Sequence, residues 1–575
     1  MHRKLFCLYI FSLSACGQGP DASLANVVPA DTIFVGENII TMENDLAPVG
    51  GVAVRGEEIV AVGGVDRVLR YRGGRTRVVE LGDNALLPGF IDSHGHFSAT
   101  ARLNDFVNLS SPPVGTAENI DDLVRLLQER IAAVELAAGD WVIGYGYDDS
   151  LLAEKRHPTR DDLDAVSTDH AILLMHVSGH LAATNSLALR QLEINADSPN
   201  PKGGVIRRRE GSREPNGVFE EAAASTLLFG RLSQLTGDRF IELTRDAAYQ
   251  YASYGITTVQ DGAIISDDLR LLRDAAAAEP YVVDIGTYTY MTALSKEGYR
   301  DFVSEDDYTG GVRQIGVKFS LDGSPQGRTA WMTEPYADGP PGAKADYVAY
   351  PTLDPEYYVM HVTELIQRDI PVLVHANGDA AIDLMIDGVA AALEESPKPD
   401  HRSVIIHAQL MRNDQLSRAA ELGIVTSFFS AHPFFWGDWH RVSFGDERAQ
   451  NISPTRWAID NGVNFTVHND APVVPPDMMR LLWATVNRTT RSGYILGPHQ
   501  RLTVNEALQA MTLGGAYQFF EEDRKGSLRV GKQADLVILE ANPLRMDPAA
   551  LSAVRIVETF SRGRSVYQNP EFTQE

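Results

Sequence analysis

The chain has 575 residues, of which 44% are hydrophobic and 22% charged, with a formal net charge of −26. That length can bury a large core and spread over more than one domain, and the composition is ordinary for a globular protein. The acidic balance repels nucleic acid and anionic lipid headgroups, which excludes both as partners through bulk electrostatics and leaves a small-molecule substrate open.

The chain opens "MHRKLFCLYIFSLSACGQG". Arg3 and Lys4 precede about ten mostly apolar residues, the form of a secretory signal and too short to span a bilayer permanently. The end of this segment, Leu13-Ser14-Ala15-Cys16, resembles the lipobox of bacterial lipoproteins. That resemblance implies cleavage at residue 15, lipid on Cys16 and, with Gly17 following, a periplasm-facing protein anchored in the outer membrane. A plain cleaved signal with an incidental cysteine is the alternative. Residues 16–29 read as a tether, and no later stretch is apolar for a spanning length. Cys7 and Cys16 are the only cysteines, so no disulfide or cysteine-rich zinc site is expected in the rest of the chain.

From residue 30 to 85 the pattern is short strands with Gly-rich turns, as in "TIFVGENIIT" and "GGVAVRGEEIVAVGG", and the same grammar returns over 525–568 in "GSLRVGKQADLVILEANP". Isolated hairpins are marginal, so the two ends are expected to pair into one β-sandwich domain. Between them, over 86–524, eight apolar segments end in polar residues: "LLPGFIDSHGH", "GITTVQDGA", "YVVDIGTYTY", "RQIGVKFSLDG", "IPVLVHANGD", "SVIIHAQ", "GIVTSFFSA" and "GVNFTVHNDAP". Helical patterns such as "DDLRLLRDAAAAE" and "DAAIDLMIDGVAAALEE" separate them from the second segment onward. The fold class expected is therefore α/β, a (β/α)8 TIM barrel. An open doubly wound sheet is the alternative, without a Gly-rich phosphate turn to support it. Residues 97–254 are too long for one connection and read as an insertion over the barrel mouth, with strands of its own in "WVIGYGYDD" and "HAILLMHVSGH". The three arginines of "VIRRRE" (205–210) read as a solvated loop within it.

In such a barrel, polar residues at the strand ends converge on one face. His94 and His96 lie one residue apart, on one face if extended, although a lone His-x-His is also what surface or core histidines look like. Strand four carries Lys318, strand five His375, strand six His407 and strand eight Asp470. Five of these six are standard nitrogen or oxygen ligands of zinc-like ions.

These segments, together with "PTRDDLDAVSTDHAILLMHVSGHLAATNSLAL", "VKFSLDGS", "HANGDAA", "HAQL" and "LTVNEALQAMTLGGAY", resemble the amidohydrolase superfamily, in its amidohydrolase-3 or YtcJ-like branch, over nearly the whole mature chain. The resemblance implies two divalent ions, zinc by preference. His94 and His96 would hold the more buried ion, His375 and His407 the other, and Asp470 would complete the site. Lys318 would bridge them as a carboxylated lysine, since an ammonium offers no lone pair. In one departure, His468 and Asn469 stand where related sequences carry a small residue and serine; His468 reads as packing.

The reaction expected is hydrolysis of a non-peptide carbon–nitrogen bond, of amide, N-acyl or N-formyl type, by metal-activated water with Asp470 as general base. His180 and Gln409 are candidate donors to the oxyanion, with a capped loop histidine and a residue that fixes the next loop as the respective alternatives. Trp436, with Phe434, Phe435 and Trp439, is a candidate wall for an apolar group or else loop packing; Asp322 and Arg328 are further polar candidates. Ester hydrolysis, isomerisation or decarboxylation on the same metal barrel is a second reading, and an inactive solute-binding lipoprotein a third. Homo-oligomerisation stays open.

Overall fold

The computed structural model describes residues 27–43, 48–134, 136–149, 151–177, 179, 181–201, 204–221, 223, 224, 226, 227, 237–340 and 343–572. The leader with Cys7 and Cys16 lies outside the described residues, as does His180. No described helix is long and apolar enough to cross a membrane.

Eight strands pair in parallel in chain order: β1 (Phe90–Asp92), β2 (Ile256–Ile264), β3 (Asp284–Tyr290), β4 (Val312–Ser320), β5 (Val372–Ala376), β6 (Val404–His407), β7 (Val425–Phe428) and β8 (Phe465–Val467). The last meets the first through loop backbone. Asp470 N–H donates to His94 O at 3.1 Å and His96 N–H donates to Ala471 O at 2.7 Å. Helices Ser266–Ala278, Pro355–Gln367, Asp379–Glu395 and Asn413–Leu422 lie where the 3.6-residue apolar period predicts them. This is the expected barrel.

Side-chain alternation fills it on both faces. On β6, Val404 and Ile406 join Ile91, Leu373, Val425 and Phe519 in one cluster, while Ile405 packs in the larger core with the helices. On β4 the alternation is interrupted. Thr287 pairs with Gln314 but Tyr288 pairs with Gly316, so one extra residue bulges out of register. Val312 shares the helix-side core with Val317 and Phe319, which have the opposite parity, and Ile315 and Lys318 are left on the interior side. A one-residue slip of this kind exchanges the two faces of a strand. Lys318 reaches the barrel interior because of that bulge.

The chain ends meet in two four-stranded sheets. One holds Thr32–Val35, Gly51–Arg55, Glu58–Gly63 and Arg77–Glu80; the other Ala85–Pro88, Leu536–Leu539, Ile556–Ser561 and Arg564–Gln568. Phe34 and Phe560 pack edge to face between them, ring centroids 5.1 Å apart, within a shared apolar core. The run "LLPGFIDSHGH" is thus two strands: Ala85–Pro88 pairs antiparallel with Leu536–Leu539 in the sandwich, and β1 begins only after Gly89. Glycine at 89 allows close approach, since a Cβ there would lie 2.4 Å from Thr257 Oγ1.

Between β1 and β2 stands a six-stranded sheet of Val107–Asn108, Trp141–Tyr147, Ala171–His176, Leu181–Thr184, Gly204–Arg208 and Pro215–Glu221. Helices Phe97–Leu103 and Gly237–Ser253, on either side of it in sequence, contribute Phe97, Ala101, Phe240 and Tyr251 to the barrel core. The inserted sheet is therefore narrower than 97–254. Part of "VIRRRE" is one of its strands, with Arg207 paired to Glu220, where a solvated loop was expected.

Sandwich and barrel are joined around Asp284, the first residue of β3. It accepts from Lys525 Nζ at 2.7 Å and pairs with Arg562 of the sandwich, and Lys525 Nζ also donates to Glu521 at 3.2 Å and Thr258 Oγ1 at 3.1 Å. Lys525, Glu521 and Asp284 are all buried. Removing one member of such a cluster strands a buried charge. Lys525→Met is expected to lower stability by about 3–5 kcal/mol in urea unfolding.

Candidate metal centre

His94 and His96 sit beyond the end of β1 rather than on it, and β1, at three residues, only delivers the loop that carries them. That loop is fixed by a bridge between His96 and Asp261 and by Gly262 N–H donating to Gly95 O at 2.8 Å. His407 ends β6 with φ 75° and Asp470 follows β8 with φ 61°. Left-handed backbone at a non-glycine residue costs roughly 1–2 kcal/mol; here it turns two polar side chains towards one space.

His94 Nδ1 lies 2.6 Å from Gln260 Oε1, so Nδ1 carries the proton and the Nε2 lone pair faces inward. His94 Nε2 is 3.3 Å from Lys318 Nζ and 3.6 Å from Asp470 Oδ1. His96 Nε2 is 3.3 Å from the same Asp470 oxygen, and His407 Nε2 is 4.0 Å from Oδ2. The His407 ring centroid is 4.7 Å from that of His375 and 5.5 Å from that of His94. All six residues singled out in the sequence are thus in one cluster. His375 Nδ1 lies 3.1 Å from Asp322 Oδ1 without a well-formed hydrogen bond, and Asn377 Nδ2 donates to its Nε2 at 3.2 Å.

Burial sets the electrostatics. His94, Lys318 and His407 are at most 5% exposed. Burial, with Lys318 next, holds His94 well below the usual imidazole range; burial, with His375 next, does the same to His407. Burial pulls the Lys318 amine down to about 7. Two neutral imidazoles, His94 and His407, therefore face a carboxylate whose Oδ1, buried, accepts no well-formed hydrogen bond among the described residues. A divalent cation fits this donor set: imidazole nitrogens and carboxylate oxygen are its ordinary ligands, and it would satisfy the orphan oxygen.

Several supporting residues are not apparent in the sequence. Gln260 sets the His94 tautomer, and glycine at 262 leaves it room, since a Cβ there would lie 2.4 Å from His94 Cε1. Asp92, raised to about 7 by burial, accepts from Asn469 N–H at 3.1 Å. His468 is more than packing: its Nε2 lies 3.2 Å from His407 Nδ1 and its Nδ1 2.7 Å from Ser427 Oγ. Burial lowers His468 to about 3, so it is a neutral acceptor for the His407 N–H. Thr466 and Gln518 continue this buried chain to Ser93 O. A partner on the distal nitrogen of a ligating histidine fixes its ring and raises its basicity.

The other sequence candidates have partners of their own. Gln409 donates one Nε2–H to Phe429 O at 3.1 Å and accepts from Ser453 Oγ at 2.7 Å, so its amide ties the end of β6 to the neighbouring loops. The aromatic segment is a helix, His432–Phe444, in which Trp436 packs on His432 and Phe429 at ring distances of 4.8 and 5.9 Å. Arg328 donates to Gly339 O and Ser443 Oγ, pairs with Asp338 and stacks on Trp439, which makes it a loop anchor. Asp322 accepts from the backbone of Trp331, Asn377 and Gly378 as well as facing His375.

A cavity of about 880 Å³ meets the cluster at His96, Asp261 and Ala471. Its walls are mainly apolar, with Tyr145 and Met175 from the inserted sheet facing Ile264, Tyr254 and Val474. Arg102 and Asp268, also in the wall, neutralise one another at 2.6 Å. None of Phe434, Phe435, Trp436 and Trp439 lines this cavity.

Comparison with known proteins agrees with this geometry. The model described as "Amidohydrolase family" matches residues 77–567. The N-substituted formamide deformylase of Arthrobacter pascens is 27% identical over 549 residues, 94% of this chain and 98% of that protein. The putative amidohydrolase YtcJ of Bacillus subtilis (strain 168) is 25% identical over 552 residues, 93% of this chain and 99% of that one. An uncharacterized metal-dependent hydrolase from Pyrococcus horikoshii OT3 shares the fold at TM-score 0.71 and 22% identity, over 90% of this chain and 99% of that one.

His468→Phe removes the acceptor of the His407 N–H at nearly constant volume. Metal affinity, read by competition with a chelator, is expected to fall about 10–100-fold.

Proposed function

Because the chain belongs to the amidohydrolase family, we propose that it is a metal-dependent hydrolase of N-substituted formamides with a bulky apolar substituent on nitrogen. The observation that carries this reading is the convergence of His94, His96, Lys318, His375, His407 and Asp470 on one buried space. The substrate class is supported by the similarity to a formamide deformylase along almost the full length of both chains and by the mainly apolar cavity beside His96.

In this reading the four histidines and Asp470 would hold two divalent ions, with zinc the preferred metal, and Lys318, as a carboxylated lysine, would add a shared ligand. When bound, such ions supply a water that ionises near neutral pH and a Lewis acid for the formyl oxygen. The chain's own residues do the rest. Gln260 and His468 hold the His94 and His407 tautomers that aim Nε2 inward. Asp470 takes one proton of the attacking water at its carboxylate and returns it to the departing nitrogen, so the amine leaves neutral together with formic acid, which ionises to formate by releasing its remaining proton to solvent. The apolar walls bind the N-substituent and exclude bulk water from the bond being cut. Export and anchoring through Cys16 belong to the same proposal and rest on the leader sequence.

Asp470→Asn keeps the shape of the side chain and removes its basicity. With N-benzylformamide as probe, kcat is expected to fall at least about 100-fold, the scale of a general base, with the fold unchanged by circular dichroism. Equal turnover in both proteins, or release of no formate by the metal-loaded wild type, defeats the proposal.

Lys318 must be a neutral amine to take up carbon dioxide. Its value of about 7 places the change at neutral pH. The folded protein holds this proton only below that value, so carboxylation is favoured above it and is lost as pH falls through it, the neutral fraction dropping about tenfold per unit. Incubation with 13C-bicarbonate should give a carbamate carbon signal at pH 8 that fades by pH 6 together with metal content, and Lys318→Met should abolish the signal at both.

A further inference from the structure

We propose a second, separate cation site in the inserted sheet, formed by Asp148, Asp149 and His176 with His157 adjoining, that takes a zinc-like divalent ion.

The strands Trp141–Tyr147 and Ala171–His176 run parallel, and Tyr147 pairs with His176 at their C-terminal ends. Residues just past one strand, Asp148 and Asp149, therefore meet the last residue of its neighbour. This is the topology by which the barrel gathers its own ligands. One ligating atom from each of Asp148, Asp149 and His176 lies within 4.8 Å of the others, as for His94, His407 and Asp470. Asp149 Oδ1 is 3.1 Å from His176 Nε2 and 3.7 Å from His157 Nδ1. The His157 and His176 ring centroids are 5.8 Å apart, close to the 5.2 and 5.5 Å that separate His94 from His96 and from His407.

The chemistry of the donors agrees. One imidazole and two carboxylates, with a second imidazole adjoining, are the mixed nitrogen and oxygen donors that suit zinc, and two adjacent carboxylates favour a cation between them. Both imidazoles are largely buried, with side chains 10% and 11% exposed. Tyr147, whose hydroxyl is 3.3 Å from His157 Nδ1, closes the inner side of the cluster. Since His176 also lines the 880 Å³ cavity that touches His96, an ion here would fasten the strand ends that form the cavity wall. Among the described residues, Arg207, bound to Glu220, acts on His157, and Arg491 interacts with Asp148.

Crystals of the full chain grown with zinc chloride, measured across the zinc absorption edge, should show an anomalous peak about 2.0–2.2 Å from His176 and Asp149 ligand atoms, apart from any peak at the barrel cluster. A barrel peak without one here overturns the proposal. In parallel, the Asp149→Asn/His176→Gln double variant, checked for folding by circular dichroism, should lose about one zinc per chain relative to wild type in elemental analysis. Unchanged stoichiometry in the folded variant likewise overturns it, and if the variant does not fold the anomalous map of the wild type decides.

Discussion

Lone pairs that point at one another inside a protein need something positive between them. At the mouth of this barrel His94, His96 and His407 direct Nε2 towards a single carboxylate, with Lys318 held near neutrality by burial and His375 packed against His407. Without a cation, that arrangement leaves a buried carboxylate oxygen with no well-formed hydrogen bond and removes nitrogen donors from water. A cation there would give the orphan oxygen its partner. The barrel is the frame that keeps these groups close despite the cost.

The frame imposes that geometry by local departures from ideal structure. Left-handed backbone at His407 and Asp470 swings two side chains inward, and the bulge on β4 carries Lys318 from the helix side to the interior. Behind these lies a layer of buried hydrogen bonds through Gln260, Asp322, His468, Ser427 and Gln518 that fixes ring orientation. Strain of this kind persists only where the surroundings over-determine it, and here they do on every side.

The inserted sheet completes the site from outside. It supplies one wall of the cavity while β2, the loop after Asp470 and the helices Phe97–Leu103 and Gly237–Ser253 supply the other. The result is a chamber with apolar walls that reaches the polar cluster along one edge. A neutral substrate with a large hydrophobic group fits this shape, and a charged one would have to give up its hydration against apolar walls.

The barrel, the pairing of the two chain ends and the six converging residues were legible in the sequence, because each is written in local pattern: alternation and helical period along the segments, and a polar residue where each apolar run stops. Only the tertiary structure decided the rest. That Ala85–Pro88 belongs to the sandwich and not to the barrel depends on its pairing with Leu536–Leu539, some 450 residues away by the numbering. That Gln409 bonds Phe429 and Ser453, that Trp436 packs on Phe429 and that His468 serves His407 depends on partners in other elements. The bulge that aims Lys318 inward leaves no trace in composition, since one extra residue in a strand reads like any other until its neighbour is in place.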